Sequence, residues 1–211
     1  MQEIILFGIL ASTYLLVIAK RMPALIRGFR YQSSFLFIVT SVVAFREARA
    51  ELYIVAALIL GLKVIMIPHF LYLIAKKIKL NENMGFFSSA QLSLVSALIL
   101  TYCSWMLSNR LGFIRDYSTA AAITVAFSVI FIGAFLMIFR MMALTQVIGL
   151  LVMENGIFLL ASYISGGMPF FVEIAIFFDV FVSVVIMGLF VYRINKLFTH
   201  IDVSKLSRLR G

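Results

Sequence analysis

The sequence predicts an all-α integral membrane protein with seven transmembrane helices. Of its 211 residues, 64% are hydrophobic, which is more apolar surface than a soluble domain requires. The apolar residues form runs of about 20, the length at which a helix crosses a bilayer. Alternating strands of about ten residues, the mark of an outer-membrane barrel, are not found in the sequence.

Seven runs are long enough to be assigned as spans. In chain order they are 3–19, 30–48, 52–75, 86–108, 118–139, 143–164 and 170–192. The second is the weakest, because its uncharged core extends only from Tyr31 to Phe45 and the arginines at its ends must reach the interface. The first lacks a basic leading segment and a small-residue cleavage site, so we interpret it as a retained span rather than a signal peptide.

The basic residues give the orientation. Most of the 18 Lys and Arg residues follow spans one, three, five and seven. The opposite side holds only Arg46, Arg49, Arg110 and Arg115. The positive-inside rule therefore predicts an external N-terminus and a cytoplasmic C-terminus. This distribution also explains the net charge of +9, so nucleic acid is not an expected partner and the lipid bilayer is.

The spans divide the chain into two regions. Residues 1–115 form an N-terminal four-helix membrane region, and residues 116–211 form a C-terminal three-helix region with a basic cytoplasmic tail. The connections are too short for a nucleotide fold or a redox-cofactor domain. The single cysteine, Cys103, lies in an apolar run and cannot form a metal-binding cysteine cluster alone. We predict no metal site and no catalytic residue in this chain.

Lys63, Glu154 and Asp179 lie near the middle of spans three, six and seven. A charge at that depth costs about 2.5–3.5 kcal/mol on insertion scales, so it persists where it faces a protein interior or a wet cavity, usually with a partner. We expect the three residues to form a polar layer that carries protons or ions. The alternative is a structural ion pair between Lys63 and one of the carboxylates.

Span three also contains Pro68 and His69. Proline removes a backbone donor, so a kink or break is expected at Pro68. His69 lies about 9 Å from Lys63 toward the inner side, at 1.5 Å per residue, and histidine titrates near neutral pH. It can pass protons between mid-membrane and the inner surface, or it can be an ordinary interfacial residue.

Spans six and seven contain further polar residues and two small ones. The secondary polar candidates for the path are Asn155, Gln146, Glu173 and Ser183. Asn155 can instead join helices by hydrogen bonds, and Glu173 can meet interfacial water. Gly149 and Gly156 are two turns apart, which predicts a close approach between helices.

Three segments near the C-terminus resemble component E of hydrogenase-4. They are LLVMENGIFLLA, MPFFVEIAIFFDVFVSVVIMGLFVYRI and the tail HIDVSKLSRLRG. The segment GLKVIMIPHFLYLIAKKI of span three is similar to the same family, so the likeness covers most of the chain. That family belongs to membrane-bound nickel–iron hydrogenase and formate hydrogenlyase complexes.

The final third is also similar to the three-helix K-type subunit of respiratory complex I. That subunit carries mid-membrane glutamates on two helices. The position matching one glutamate is Leu151, with Glu154 one turn later, and Asp179 lies about one turn earlier than expected. A shift of one turn moves a side chain about 5 Å but keeps its face.

The resemblance implies a small non-catalytic subunit in the inner (plasma) membrane. The implied partners are antiporter-like membrane subunits, a channel-type membrane subunit and peripheral hydrogenase subunits. The nickel–iron centre and iron–sulfur clusters are expected in those partners, with no cofactor in this chain. Two alternatives remain open: a small subunit of a multisubunit cation/proton antiporter, and a structural membrane scaffold without ion transfer. A retinal protein is disfavoured by the position of Lys63 in span three.

Overall fold

The computed structural model describes residues 2–47, 50–77, 90–110, 117–140 and 142–164, together with Gly188. Within these ranges the regular elements are all helical. In chain order they are α1 (Gln2–Ile18), α2 (Met22–Glu47), α3 (Ala50–Leu58), a π-helical stretch (Ile59–Met66, the π segment), α4 (Ile67–Lys77), α5 (Ala90–Arg110), α6 (Tyr117–Phe139) and α7 (Ala143–Ile164). Because α3, the π segment and α4 are continuous, the described ranges contain six helices.

Four of these helices are long and apolar enough to cross a membrane. They comprise Leu52–Lys76, Gln91–Arg110, Thr119–Phe139 and Leu144–Tyr163, and Glu3–Ile18 is a shorter apolar helix. The all-helical membrane character predicted from the sequence is therefore confirmed. The predicted seventh span, 170–192, lies outside the described residues except for Gly188, which is buried and helical and lies against Ile74 and Phe70 of α4.

Helix α2 begins at Met22 rather than at residue 30, where the second span was predicted to start. The amides of Ala24 and Leu25 donate to the carbonyl of Arg21 at 3.0 and 3.1 Å and begin the helix. Pro23 is tolerated in this first turn, where an N–H would have no helical partner. Arginines that the sequence placed before the span therefore lie on the helix itself.

The core is apolar and lies between α1, α2, the π segment, α6 and α7. Leu16, Phe29, Ile59, Ile132 and Leu151, one from each of these helices, are almost completely buried and belong to one contiguous cluster. The packing therefore brings the middle of α2 and the π segment against the middle of α7, where the polar candidates lie.

Helices α6 and α7 pack backbone to backbone through glycines. A Cβ added to Gly149 would lie 2.7 Å from the backbone nitrogen of Met137, and one added to Gly156 would lie 2.8 Å from that of Ile130. The predicted close approach at these two glycines is confirmed. Gly133 of α6, which the sequence analysis did not select, makes the tightest contact, 2.5 Å from the backbone nitrogen of Met153.

A buried arginine anchors the α6–α7 connection to the end of α1. Nη2 of Arg140 donates to the carbonyls of Leu16 and Ala19, both at 3.0 Å. The C-terminal carbonyls of a helix carry partial negative charge, so a guanidinium stabilises them. Burial lowers the pKa of Arg140 to about 10, so the side chain still carries its charge at neutral pH. Nε2 of Gln146 donates to the Arg140 carbonyl at 3.0 Å and fixes the connection further.

Candidate functional site

The π segment places Lys63 near its centre. In this stretch the backbone bonds from residue i to i−5, as when the amide of Ile67 donates to the carbonyl of Leu62. The next residue, Pro68, has no N–H and can donate to neither of the carbonyls at i−4 and i−5. The irregularity expected at Pro68 is therefore a stretch of wider, π-helical backbone immediately before the proline. Single π turns within α-helices are common at functional sites.

Lys63 and Glu154 form an ion pair in the protein interior. Nζ of Lys63 lies 2.6 Å from Oε1 of Glu154, and the two side chains are only 1% and 7% exposed. Two of the three mid-span charges therefore meet. An ion pair between Lys63 and one of the carboxylates is the contact that the sequence analysis gave as its structural alternative. The third, Asp179, lies outside the described residues.

Asn155, the neighbour of Glu154 on α7, also binds the ammonium. Nζ of Lys63 donates to Oδ1 of Asn155 at 2.9 Å. Because an ammonium has donors and no acceptor, this contact requires the amide oxygen, and the amide nitrogen then points the other way. Nδ2 of Asn155 donates to Oε1 of Gln32 at 3.1 Å and to Oγ of Ser33 at 3.3 Å, both on α2.

The hydrogen bonds continue from α2 to α1. Nε2 of Gln32 donates to Oγ1 of Thr13 at 2.7 Å, and that hydroxyl donates to the carbonyl of Ile9 at 2.7 Å. We call Glu154, Lys63, Asn155, Gln32 and Thr13 the polar chain. All five side chains are buried. The polar chain joins α7, the π segment, α2 and α1 across the interior.

From Lys63 to Thr13 the hydrogen-bond donors of the polar chain all point in one direction. From Lys63 to Asn155, Gln32 and Thr13, each group donates to the next one away from the ion pair. The side-chain amides have no ionisable proton near neutral pH, so the acid–base groups of the polar chain are Lys63 and Glu154. The amides and the hydroxyl therefore orient the ammonium, and the pair itself is the part that can exchange a proton.

The Glu154 carboxylate keeps acceptor capacity beside the ion pair. Its second oxygen, Oε2, is buried and accepts no hydrogen bond from the described residues. A carboxylate can accept up to about four hydrogen bonds, whereas within the described ranges the Glu154 carboxylate contacts the Lys63 ammonium at Oε1. This oxygen is therefore the atom where a proton can be received without first displacing a donor of the polar chain.

The other predicted site residues lie elsewhere. His69 of α4 is exposed and lines a cavity of about 300 Å³ between α2 and α4; within the described part of the chain no hydrogen bond joins it to Lys63. Gln146 binds the Arg140 carbonyl at the start of α7, about 12 Å along the helix from Glu154 at 1.5 Å per residue. Glu173 and Ser183, like Asp179, are outside the described residues.

Gln32, Ser33 and Thr13 were not selected from the sequence. Gln32 carried a signal, since an amide in an apolar span needs a hydrogen-bond partner in the membrane interior. Thr13 and Ser33 carried almost none, because hydroxyl side chains in helices commonly bond to a carbonyl of the preceding turn. Thr13 does so with Ile9 and accepts from Gln32 as well.

Comparison with known proteins gives a relative but no function. The chain is 25% identical to the uncharacterized protein Rv0085 of Mycobacterium tuberculosis over 207 residues, which cover 96% of this chain and 93% of that protein. No family model matches the chain, and no solved structure matches it. The similarity extends over nearly the whole of both chains, so it includes the region of the polar chain.

Proposed function

We propose that this chain is a non-catalytic membrane-arm subunit of an energy-converting oxidoreductase complex of the membrane-bound hydrogenase or formate hydrogenlyase type. Its role there is to contribute the Lys63–Glu154 pair to the translocation of protons or sodium ions. The observation that carries the proposal is this ion pair, buried between the π segment and α7 at 2.6 Å. The resemblance to component E of hydrogenase-4 supplies the kind of complex.

The proposed topology has seven spans, with the N-terminus outside and the C-terminus in the cytoplasm, in the inner (plasma) membrane. Four apolar helices of sufficient length and the shorter α1 support it, as does the uneven distribution of Lys and Arg. In this arrangement Glu154 and Lys63 lie at mid-membrane, His69 lies toward the inside, and Asp179 of the seventh span is the next carrier.

The proposed mechanism uses the dependence of a carboxylate on its neighbours. An ammonium beside a carboxylate favours the ionised form, and its removal favours the protonated form. If a charge in a neighbouring subunit draws the Lys63 ammonium away, Glu154 takes up a proton, and the return of the ammonium expels it. Such a change requires a partner that interacts differently with the two states. Antiporter-like and channel-type membrane subunits, with peripheral hydrogenase subunits carrying the nickel–iron and iron–sulfur centres, are the proposed partners.

Substitution Glu154→Gln in the reconstituted complex tests the proposal. The amide keeps the size of the side chain but does not ionise near neutral pH, so ion translocation coupled to turnover is expected to be lost. The matched control is Glu3→Gln, which makes the same change at an exposed position on α1. Unchanged translocation and unchanged coupled turnover in the Glu154→Gln complex would remove Glu154 from the path.

A structural scaffold is the second candidate, and the polar chain favours it. The polar chain joins α7, the π segment, α2 and α1 through hydrogen bonds of 2.7 to 3.1 Å, as expected of polar side chains that hold helices together. The double substitution Lys63→Met/Glu154→Met separates the two functions. A complex that assembles with this chain and still translocates ions supports the scaffold. An assembled complex that turns over without translocation supports the proton or sodium path.

A further inference from the structure

A basic cavity opens between α2 and α4, away from the polar chain. It has a volume of about 300 Å³ and is lined by Arg27 and Arg30 of α2, by His69 and Tyr72 of α4, and by the apolar side chains of Ile65 and Pro68. Among the described residues that line the cavity there is no carboxylate. This is a pocket with two permanent positive charges, two further hydrogen-bonding side chains and an apolar wall.

The two guanidiniums have no counter-ion in the described part of the chain. Arg27 and Arg30 are both exposed, and the hydrogen bond described for either side chain is that from Nε of Arg27 to the carbonyl of Pro23 at 3.3 Å. At a spacing of three residues they lie on one face of α2, where like charges repel each other. An anion placed between them removes this repulsion.

The position of the cavity indicates where that anion comes from. Arg27 and Arg30 lie in the first turns of α2, and His69 and Tyr72 lie in α4, which ends at Lys77. Because α2 and the helix that ends in α4 run in opposite directions, these residues are at the same end of the bundle. Arginine and tyrosine side chains at the end of membrane helices lie at the level of the lipid headgroups. Basic pockets between membrane helices are typical binding sites for anionic headgroups.

A second cavity adjoins the first on the α1 side of α2. It has a volume of about 260 Å³, shares Arg27 with the basic cavity, and is lined by apolar side chains that include Leu15 and Ile18, with Tyr31 at its edge. A headgroup bound at Arg27 would therefore have an apolar surface beside it that an acyl chain can cover. A free inorganic anion would make no use of this surface.

We propose that the basic cavity binds the phosphate of an anionic phospholipid. The guanidiniums of Arg27 and Arg30 bind the phosphate oxygens, which suit the planar fork of arginine, and the His69 ring and Tyr72 hydroxyl close the opposite side. The lipid acts as the counter-ion of the first turns of α2. This inference is independent of the proposed function, because it depends on the cavity and not on the Lys63–Glu154 pair.

Lipid binding to the purified full-length chain tests the proposal. The probe is phosphatidylglycerol in nanodiscs of phosphatidylcholine, with retained lipid counted by native mass spectrometry. The variant Arg27→Gln/Arg30→Gln is expected to retain about tenfold less phosphatidylglycerol, since each basic residue near the surface contributes appreciably to anionic-lipid binding. The matched control is Lys20→Gln/Arg21→Gln, which removes the same charge from exposed residues that do not line the basic cavity.

Three results would overturn the proposal. The first is an equal loss of retained phosphatidylglycerol in the control variant, which indicates a diffuse surface charge. The second is no loss of the lipid in either variant. The third is complete displacement of the lipid by inorganic phosphate, which indicates a site for the free anion. The charge-conserving variant Arg27→Lys/Arg30→Lys protects against a folding artefact. It is expected to retain an intermediate amount of phosphatidylglycerol, because the charge remains but the bidentate contact is lost.

Discussion

The ammonium of Lys63 lies 2.6 Å from Oε1 of Glu154, between the π segment and α7. Both side chains are almost fully buried, and the ammonium compensates for the burial of the carboxylate. A pair of this kind contributes little when compared with an apolar pair of the same size, but the loss of one partner leaves an uncompensated charge. This asymmetry determines how the site responds to substitution.

The single substitution of Lys63 is expected to destabilise the protein more than the double substitution of the pair. Lys63→Met leaves Glu154 buried without its counter-ion, and the free energy of unfolding is expected to fall by about 3–5 kcal/mol. Adding Glu154→Met is expected to recover most of that loss. Thermal or denaturant unfolding of the purified chain in detergent micelles measures both. Losses that simply add would show that the two side chains do not interact in the folded state.

The polar chain predicts energetic coupling between α7 and α2. Asn155→Leu removes the donor to Oε1 of Gln32, whose Nε2 still donates to Thr13, and is expected to lower the free energy of unfolding by about 1–3 kcal/mol. In the double variant with Gln32→Leu, the two losses are expected to fall short of additivity by at least about 0.5 kcal/mol. The control cycle pairs Gln32→Leu with Gln146→Leu, whose side chain binds at Arg140. That cycle is expected to be additive, and equal coupling in both cycles would contradict the polar chain.

The glycines of the α6–α7 contact predict intolerance to a single methyl group. Gly133→Ala would place a Cβ 2.5 Å from the Met153 backbone nitrogen, and this overpacking is expected to lower the free energy of unfolding by about 1–3 kcal/mol. Gly61→Ala is the control, because a Cβ there meets no atom of the other described residues within 4 Å outside its own helix backbone. Unfolding midpoints in detergent give the comparison. Equal midpoints for the two variants would mean that α6 and α7 are further apart than described.

Because Arg140 contacts the end of α1, its substitution is expected to reduce the protection of nearby amides from hydrogen exchange. Arg140→Met removes charge-assisted hydrogen bonds to the carbonyls of Leu16 and Ala19, and bonds to charged groups contribute about 1.5–3 kcal/mol each. Amide hydrogen exchange is expected to rise at the C-terminal turn of α1. Arg140→Lys, with one ammonium in place of the fork, is expected to be intermediate. Exchange that rises equally at α5 would instead indicate a global effect.

The sequence identified the charges of the site because burying a charge in an apolar span is costly. That cost is local, so Lys63 and Glu154 were apparent without any knowledge of packing. The contact between Lys63 and Glu154 depends on how the helices are arranged around each other, and a single sequence does not encode this in a readable pattern. Asp179 stays a prediction, since it lies outside the described residues.

Two features of the fold had weaker signals. The start of α2 was placed too late because Arg27 and Arg30 appeared to mark a connection, whereas a helix can continue into the headgroup region with its arginines exposed. The π segment depends on a backbone hydrogen-bond register, and Pro68 was its one visible sign in the sequence. Gln32 had a signal as an amide in an apolar span, but its partners, and the role of Thr13, became evident only with the packing in place.

The glycine contacts also determine which element can move. With backbone lying on backbone at Gly133, Gly149 and Gly156, α6 and α7 form a rigid unit that carries Glu154, and Arg140 ties that unit to α1. In the proposed mechanism, the relative displacement of the two charges is therefore expected to arise on the Lys63 side. A π turn contains one residue more than an α turn. If the π turn shifted along the helix, Lys63 would rotate about the helix axis while the carboxylate of Glu154 stayed stationary. In the proposed mechanism, Glu154 is therefore the stationary group and Lys63 the group that moves.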